Sequence, residues 1–400
     1  MQSHKEIMLL DEKDKISSWG EEMHSLMERL YPLCRSITGN GVRESLRIIK
    51  EQIPLEIREV KTGKRVFDWT VPKEWNIKDA CVKDSKGKKV IDFQRSNLHI
   101  LNYSVPIHKK MPLKELQEHL FTLPDYPDRI PYLTTYYKEN WGFCLTYNQY
   151  KQLKDDTYEV FIDSELADGS LTYGELYLQG QIKEEVLLTC YTCHPSLCND
   201  NLSGVVLLTI LAKYLKSMPL RYSYRFLFIP ETIGAIAWLS LNEDKVSRIK
   251  YGLVLTCVGD KGRSTYKKSK IGDAEIDKAA EKALFDSKQP HEIMDFFPTG
   301  SDERQFCSPG FNLPVGSLMR TPYGRFSEYH TSADDLNFVT SENLANTFEK
   351  YVDVIFIIEN NATYLNRNPK CEPQLGKRGL YEAIGGRKKR DNITVALFWV

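Results

Sequence analysis

The chain has 400 residues, with 54 basic and 54 acidic side chains and a formal net charge of zero. No global field favours nucleic acid or an anionic membrane as a partner, and no apolar run approaches the roughly 20 residues that span a bilayer. The first 19 residues are charged and lack an apolar signal core, which makes the cytoplasm the expected location. Nine cysteines at irregular spacing read as buried thiols of a reducing compartment, not as a disulfide framework.

Residues 15–33 and 41–52 carry helical periodicity. From 55 to 179 the texture changes. Short β-rich runs such as Lys89–Phe93 and Tyr158–Ile162 stand among many Pro, Tyr and Trp residues, with one short helical candidate at 113–120. This stretch predicts an inserted β-rich domain. Past Glu184, strands expected at 186–191, 222–229, 251–256 and 313–319 alternate with helices expected at 201–216, 233–241, 274–285 and 341–358. The alternation predicts an α/β domain, a mostly parallel sheet flanked by helices, assembled from 1–54 and 180–366. After Asn368 the pattern breaks into a basic turn, Arg387–Arg390, and an apolar run, Ile393–Val400. That run stops in mid-element, and 367–400 reads as the start of a further small domain.

The chemistry concentrates at turns. Cys193-His194-Pro195-Ser196-Leu197-Cys198-Asn199-Asp200-Asn201-Leu202-Ser203-Gly204 lies between an expected strand and an expected helix, the place where open α/β sheets bind ligands. His194 and Asp200 can reach one ion from that turn. His330, in a loop before the last helix, completes a three-ligand set of the kind that leaves catalytic zinc an open position. Singly, each has a plainer reading: a hydrogen-bonded histidine, or an aspartate capping the next helix. Together, in loops flanking α/β elements, they point to a metal. Glu231 follows the apolar run Phe226–Pro230 and is placed as a general base; its plainer role is a first-turn glutamate favoured by the helix dipole. Cys190-Tyr191-Thr192-Cys193-His194 fits the short haem-attachment pattern, but nothing in the chain marks it for export.

Asp200-Asn201-Leu202-Ser203-Gly204, Glu231-Thr232-Ile233-Gly234, Gly300-Ser301-Asp302 and Tyr329-His330-Thr331 with Asp334-Asp335 resemble, in that order, the motifs of the co-catalytic zinc aminopeptidases, the clan of glutamate carboxypeptidase and glutaminyl cyclase. Over nearly its whole length the chain resembles a bacterial family described as polysaccharide-biosynthesis proteins with an aminopeptidase-like domain. That resemblance implies a zinc-aminopeptidase-like fold, an inserted β-rich domain and a C-terminal winged helix, incomplete here and led into by Gln374–Tyr381. The clan's second glutamate ligand is Thr232 here, and a further aspartate ligand is Thr256; Asp260 lies four residues on, out of register. The histidine after Ser301-Asp302 is Glu303. One zinc, on His194, Asp200 and His330, is therefore expected.

On the substrate side, Arg304, Arg320 and Arg325 can bind a carboxylate or phosphate or be surface ion pairs. Asp302 and Glu303 can hold an α-ammonium group. Tyr329 can stabilise an oxyanion or pack under His330. The expected function is a zinc-dependent amide-bond hydrolase, foremost an aminopeptidase acting on a small peptide or an aminoacyl or acyl-amide substrate. The alternatives are a deacylase of an amino sugar or aminoacyl metabolite, and a catalytically inactive binding protein. A homo-oligomer is compatible with the sequence.

Overall fold

Two amphipathic helices, α1 (Lys13–Leu30) and α2 (Asn40–Gln52), lead into strand β1 (Glu56–Lys61). Four strands of a separate sheet come next: β2 (Glu74–Lys83), β3 (Lys89–Asp92), β4 (Ile107–Pro112) and β5 (Thr157–Ala167), ordered β3-β2-β5-β4. Then follow β6 (Ser170–Leu178), β7 (Glu185–Tyr191), α3 (Ser203–Leu215), β8 (Ser223–Ile229), α4 (Ile233–Leu241) and β9 (Ile249–Leu255). The chain continues through β10 (Ser264–Lys267), α5 (Glu275–Asp286), β11 (His291–Met294), β12 (Val315–Met319) and α6 (Ser341–Asn360). This computed structural model describes residues 13–363 together with Leu365, Lys370, Cys371, Gln374 and Lys377. The chain divides after Glu359 into two compact units. The expected C-terminal domain, with its basic turn and final apolar run, lies outside the described residues apart from these few.

The large sheet has eight strands in the order β1-β6-β8-β7-β9-β12-β10-β11. Its centre, β8-β7-β9-β12, is parallel throughout. Every residue of β7 and β8 is buried, as strands covered on both faces must be. Antiparallel pairing extends the sheet on either side: β6 joins β8 and β1 joins β6, while β10 joins β12. Thus the stretch 55–179 supplies two strands to the large sheet as well as the whole four-stranded sheet. One apolar layer, built from α1, α2, α3, α5 and α6, covers one face. On the other face α4 shares the cover with the four-stranded sheet and its loops.

Helix α3 begins at Ser203, two residues later than expected. Asp200 (φ −115°, ψ 82°) and Asn201 (φ −142°, ψ 32°) depart from helical geometry, so Asp200 belongs to the turn and does not cap the helix. Gly204 permits the approach of this helix to the sheet: a Cβ there would lie 2.3 Å from the Leu255 carbonyl oxygen. Every cysteine is a free thiol, and all but Cys34 and Cys371 are buried. Among the described residues no helix is long and apolar enough to cross a membrane.

Candidate metal centre

The carboxyl ends of β7, β8 and β9 open onto the turn that carries His194. Arg35, fully buried, fixes this turn from below. Its Nε donates to the His194 carbonyl at 2.7 Å, its Nη2 to the Pro195 carbonyl at 2.5 Å and its Nη1 to the Leu30 carbonyl at 2.5 Å. Asp334 fixes the next turn. Its carboxylate accepts from the Asn199 amide at 2.6 Å and the Asp200 amide at 3.0 Å, and its carbonyl accepts from the Cys198 amide at 3.0 Å. Burial pushes the Asp334 carboxyl up to about 8, yet both oxygens accept amide protons, so the ionised form is the one this geometry binds.

His330 arrives from the opposite side with a left-handed φ of 53°. The Tyr329 ring stacks on it at 4.0 Å and 14°, which is the packing role of the two open to Tyr329. Residues of the inserted stretch hold the same loop. The Tyr132 amide donates to the His330 carbonyl at 2.7 Å, and the Ser332 amide to the Ile130 carbonyl at 2.9 Å. The Tyr132 ring lies 5.1 Å from the rings of both His194 and His330.

Three potential ligand atoms result. Asp200 Oδ2 is 2.9 Å from His330 Nε2 and 3.8 Å from His194 Nε2, and one ligand atom from each residue lies within 4.8 Å of the others. Asp200 Oδ2 and His330 Nε2 are buried, and neither has a hydrogen-bond partner beyond the other. Burial lowers His194 to about 4, leaving a neutral imidazole with a free lone pair. Burial also works to raise Asp200, but His194, His330 and the Tyr191 hydroxyl outweigh it and hold the carboxyl at about 2. The neutral imidazole of His194 and the ionised carboxylate of Asp200 are forms that bind zinc. The other oxygen, Asp200 Oδ1, accepts from the Tyr191 hydroxyl, which also contacts Thr256 Oγ1 at 2.7 Å.

Glu231 lies beside this cluster. Its carboxylate, the Cys193 thiol and a ring nitrogen of His194 are all within 4.8 Å of one another. Burial, then the nearby Asp302 and Asp200 carboxylates, push Glu231 well above the usual carboxylate range. Asp302 is brought to it through Thr232, whose amide donates to Asp302 Oδ1 at 2.7 Å. Asp302 Oδ2 is buried without a partner, and burial raises this carboxyl to about 7. Arg304 Nη2 donates to Thr232 Oγ1 at 2.8 Å. Two residues beyond Glu231, Ile233 forms a wall of a cavity of about 340 Å³, facing Ile37, Trp69 and Tyr137.

The remaining candidates are engaged elsewhere. Glu303 forms a buried ion pair with Lys267 at 2.6 Å. Arg320 turns its guanidinium to α6, with Nη1 on Asn346 Oδ1 at 3.0 Å. Arg325 pairs on the surface with Glu292 at 3.0 Å. Arg35, Tyr132 and Tyr191 escaped the sequence reading. Tyr191 closes an evident strand and Asp334 stood in a recognised motif, but nothing local marks Arg35, which is 159 residues from His194.

The scaffold is an aminopeptidase-like α/β fold. It superposes on the zinc aminopeptidase BSAP of Bacillus subtilis with a TM-score of 0.63 at 11% identity, covering 86% of this chain and 96% of that one. The chain belongs to the family described as Domain of unknown function (DUF4910), which matches residues 24–361. A winged helix-turn-helix family matches 362–400. A Clostridium acetobutylicum protein is 62% identical over 384 residues, covering 96% of this chain and 88% of its own length. Its provisional name is polysaccharide biosynthesis protein with aminopeptidase-like domain. A crystal structure from the same organism, provisionally described as a peptidase, is 63% identical with a TM-score of 0.89, covering 92% of this chain and 86% of that one.

Proposed function

We propose that this chain is a zinc-dependent amide-bond hydrolase of the aminopeptidase type, with one zinc held by His194, Asp200 and His330 and Glu231 as general base. One observation carries the reading. Asp200 Oδ2 and His330 Nε2 face each other at 2.9 Å, buried and with no hydrogen-bond partner beyond one another, an arrangement suited to a cation shared between them. The Tyr191 hydroxyl occupies Asp200 Oδ1, the oxygen a bridging carboxylate would give to a second ion, which supports one metal over two. Zinc in this cluster supplies Lewis acidity toward a substrate carbonyl and toward water. Glu231, with its raised proton affinity, takes a proton from the attacking water and returns it to the leaving amine. Asp302 Oδ2, buried without a partner, can accept from a substrate ammonium group, and the wall of Ile37, Trp69 and Ile233, the last of them two residues on from Glu231, suits an apolar substituent. The name of the Clostridium relative refers to polysaccharide biosynthesis, and acylated amino sugars are a second substrate class that would use the same residues on a different amide.

The test pairs metal analysis with turnover on aminoacyl amides and N-acyl amino sugars. Purified chain should carry one zinc per molecule, retained in Glu231→Gln and lost when His194 and His330 are both replaced by Ala. Turnover in Glu231→Gln should fall by about 10²–10⁴-fold. A wild-type chain that binds no metal would overturn the reading.

A further inference from the structure

Two buried cations meet beside the end of β12 with only neutral partners. Arg320, 8% exposed, directly follows the last residue of that strand. Lys350, 3% exposed, lies midway along α6. Asn346 Oδ1 accepts from Arg320 Nη1 at 3.0 Å and from Lys350 Nζ as well. Gln289 Oε1 accepts from Lys350 Nζ at 2.8 Å and from Asn346 Nδ2 at 3.2 Å. Arg320 Nη1 also reaches Thr347 Oγ1 at 3.4 Å. A single amide oxygen thus faces two positive groups, and Arg320 Nε is buried with no acceptor among the described residues.

Carboxylates act on the pair only from a distance. Asp260 attracts Arg320, but its two oxygens already accept from the Gly262 amide, the Thr321 amide and hydroxyl, and Asn199 Nδ2. Glu342 acts on Arg320, and Glu349 and Asp353 on Lys350, yet neither cation forms an ion pair among the described residues. Buried charges are ordinarily paired because removing them from water is costly. Here the positive charge is concentrated and prearranged by amides, one of which, Gln289, is exposed.

We propose that Arg320, Lys350, Asn346 and Gln289 form a binding site for a small tetrahedral oxyanion, a phosphate, a sulfate or a phosphoryl group. Such an ion accepts from the free Nε of Arg320 and from the remaining proton of Lys350 Nζ, giving the charge-assisted hydrogen bonds that arginine and lysine make to phosphate. None of these four residues belongs to the metal cluster, so the site stands whether or not the chain is a hydrolase.

Calorimetric titration of the full chain with inorganic phosphate tests this. Wild type should show one saturable site and a higher melting temperature with phosphate. Lys350→Gln should weaken binding by about tenfold or more, the loss of one charge-assisted bond. Asn346→Asp sets a carboxylate between the two cations, so it should raise the melting temperature without phosphate and abolish phosphate binding. Binding should persist when His194 and His330 are both replaced by Ala, which separates this site from a metal-held phosphate. Phenyl phosphate identifies the source of the anion: binding equal to that of inorganic phosphate assigns the site to a phosphoryl group of a larger molecule, and binding of the inorganic ion alone assigns it to the free ion. No saturable binding to wild type, binding unchanged in Lys350→Gln and Asn346→Asp, or binding lost with the two histidines would overturn the proposal.

Discussion

Asp334 shows how a metal site can depend on a residue that touches no metal. Its two oxygens each accept one backbone amide of the Asn199–Asp200 turn, and that turn sets where Asp200 Oδ2 points. Asparagine has only one acceptor atom for the two amides, and its NH₂ would oppose the other. Asp334→Asn should therefore lower zinc affinity by about 10–100-fold, the usual cost of losing an outer partner, while the fold remains. Competition with a chromophoric chelator measures it. At this scale the sequence was legible where chemistry is local: His194 and Asp200 share one turn, and Glu231 ends an apolar strand. Arg35 and Tyr132 were not legible, because what they do is set by partners far along the chain, reached only once the sheet has formed.

Between elements, α2 is braced against the four-stranded sheet by a two-pronged ion pair. Arg43 Nη1 and Nη2 reach the two Glu74 oxygens at 2.7 and 2.5 Å, and the Ser170 amide adds a third bond at 2.9 Å. The Arg43 hydrogen bond, against the opposing effect of burial, holds Glu74 down at about 2. A carboxyl depressed in the folded state stabilises above its unfolded value, near 4.5, and that stability is lost as pH falls toward 2. Glu74→Gln should thus cost about 1–2 kcal/mol at pH 7 after solvent screening, and the gap between variant and wild type should close below pH 4. Urea melts across this pH range would show it. A second close contact joins α3 to β9. Gly204→Ala would drive a methyl group to 2.3 Å from the Leu255 carbonyl and should destabilise by about 1–3 kcal/mol, the range for overpacking, with zinc affinity falling alongside; thermal melts and metal titration read both. The central strands were legible because they are apolar on both faces. β10 (Ser-Thr-Tyr-Lys) and β11 (His-Glu-Ile-Met) were not, since four mixed residues carry no periodicity; β10 gains its pairing from β12, and β11 from β10.

For the molecule as a whole, the alternation of strands and helices past Glu184 was enough to predict the parallel centre. What it could not convey is that β1 and β6 lie in the large sheet while the strands between them form another. Pairing partners across a sheet edge are chosen by tertiary fit, not by local pattern. One consequence follows from the backbone bonds between Ile130–Tyr132 and the His330–Ser332 loop. A ligand that binds only the closed arrangement slows local opening. Amide protons of Tyr132 and Ser332 should exchange with deuterium more slowly when zinc is added, although neither residue is a ligand; hydrogen-exchange mass spectrometry can follow both peptides. Equal exchange with and without zinc would uncouple the two loops from the metal. A segment more than 190 positions upstream of its partner loop then works as an occupancy gauge, and substitutions confined to the insert register as changes in metal retention before any change in the chemistry itself.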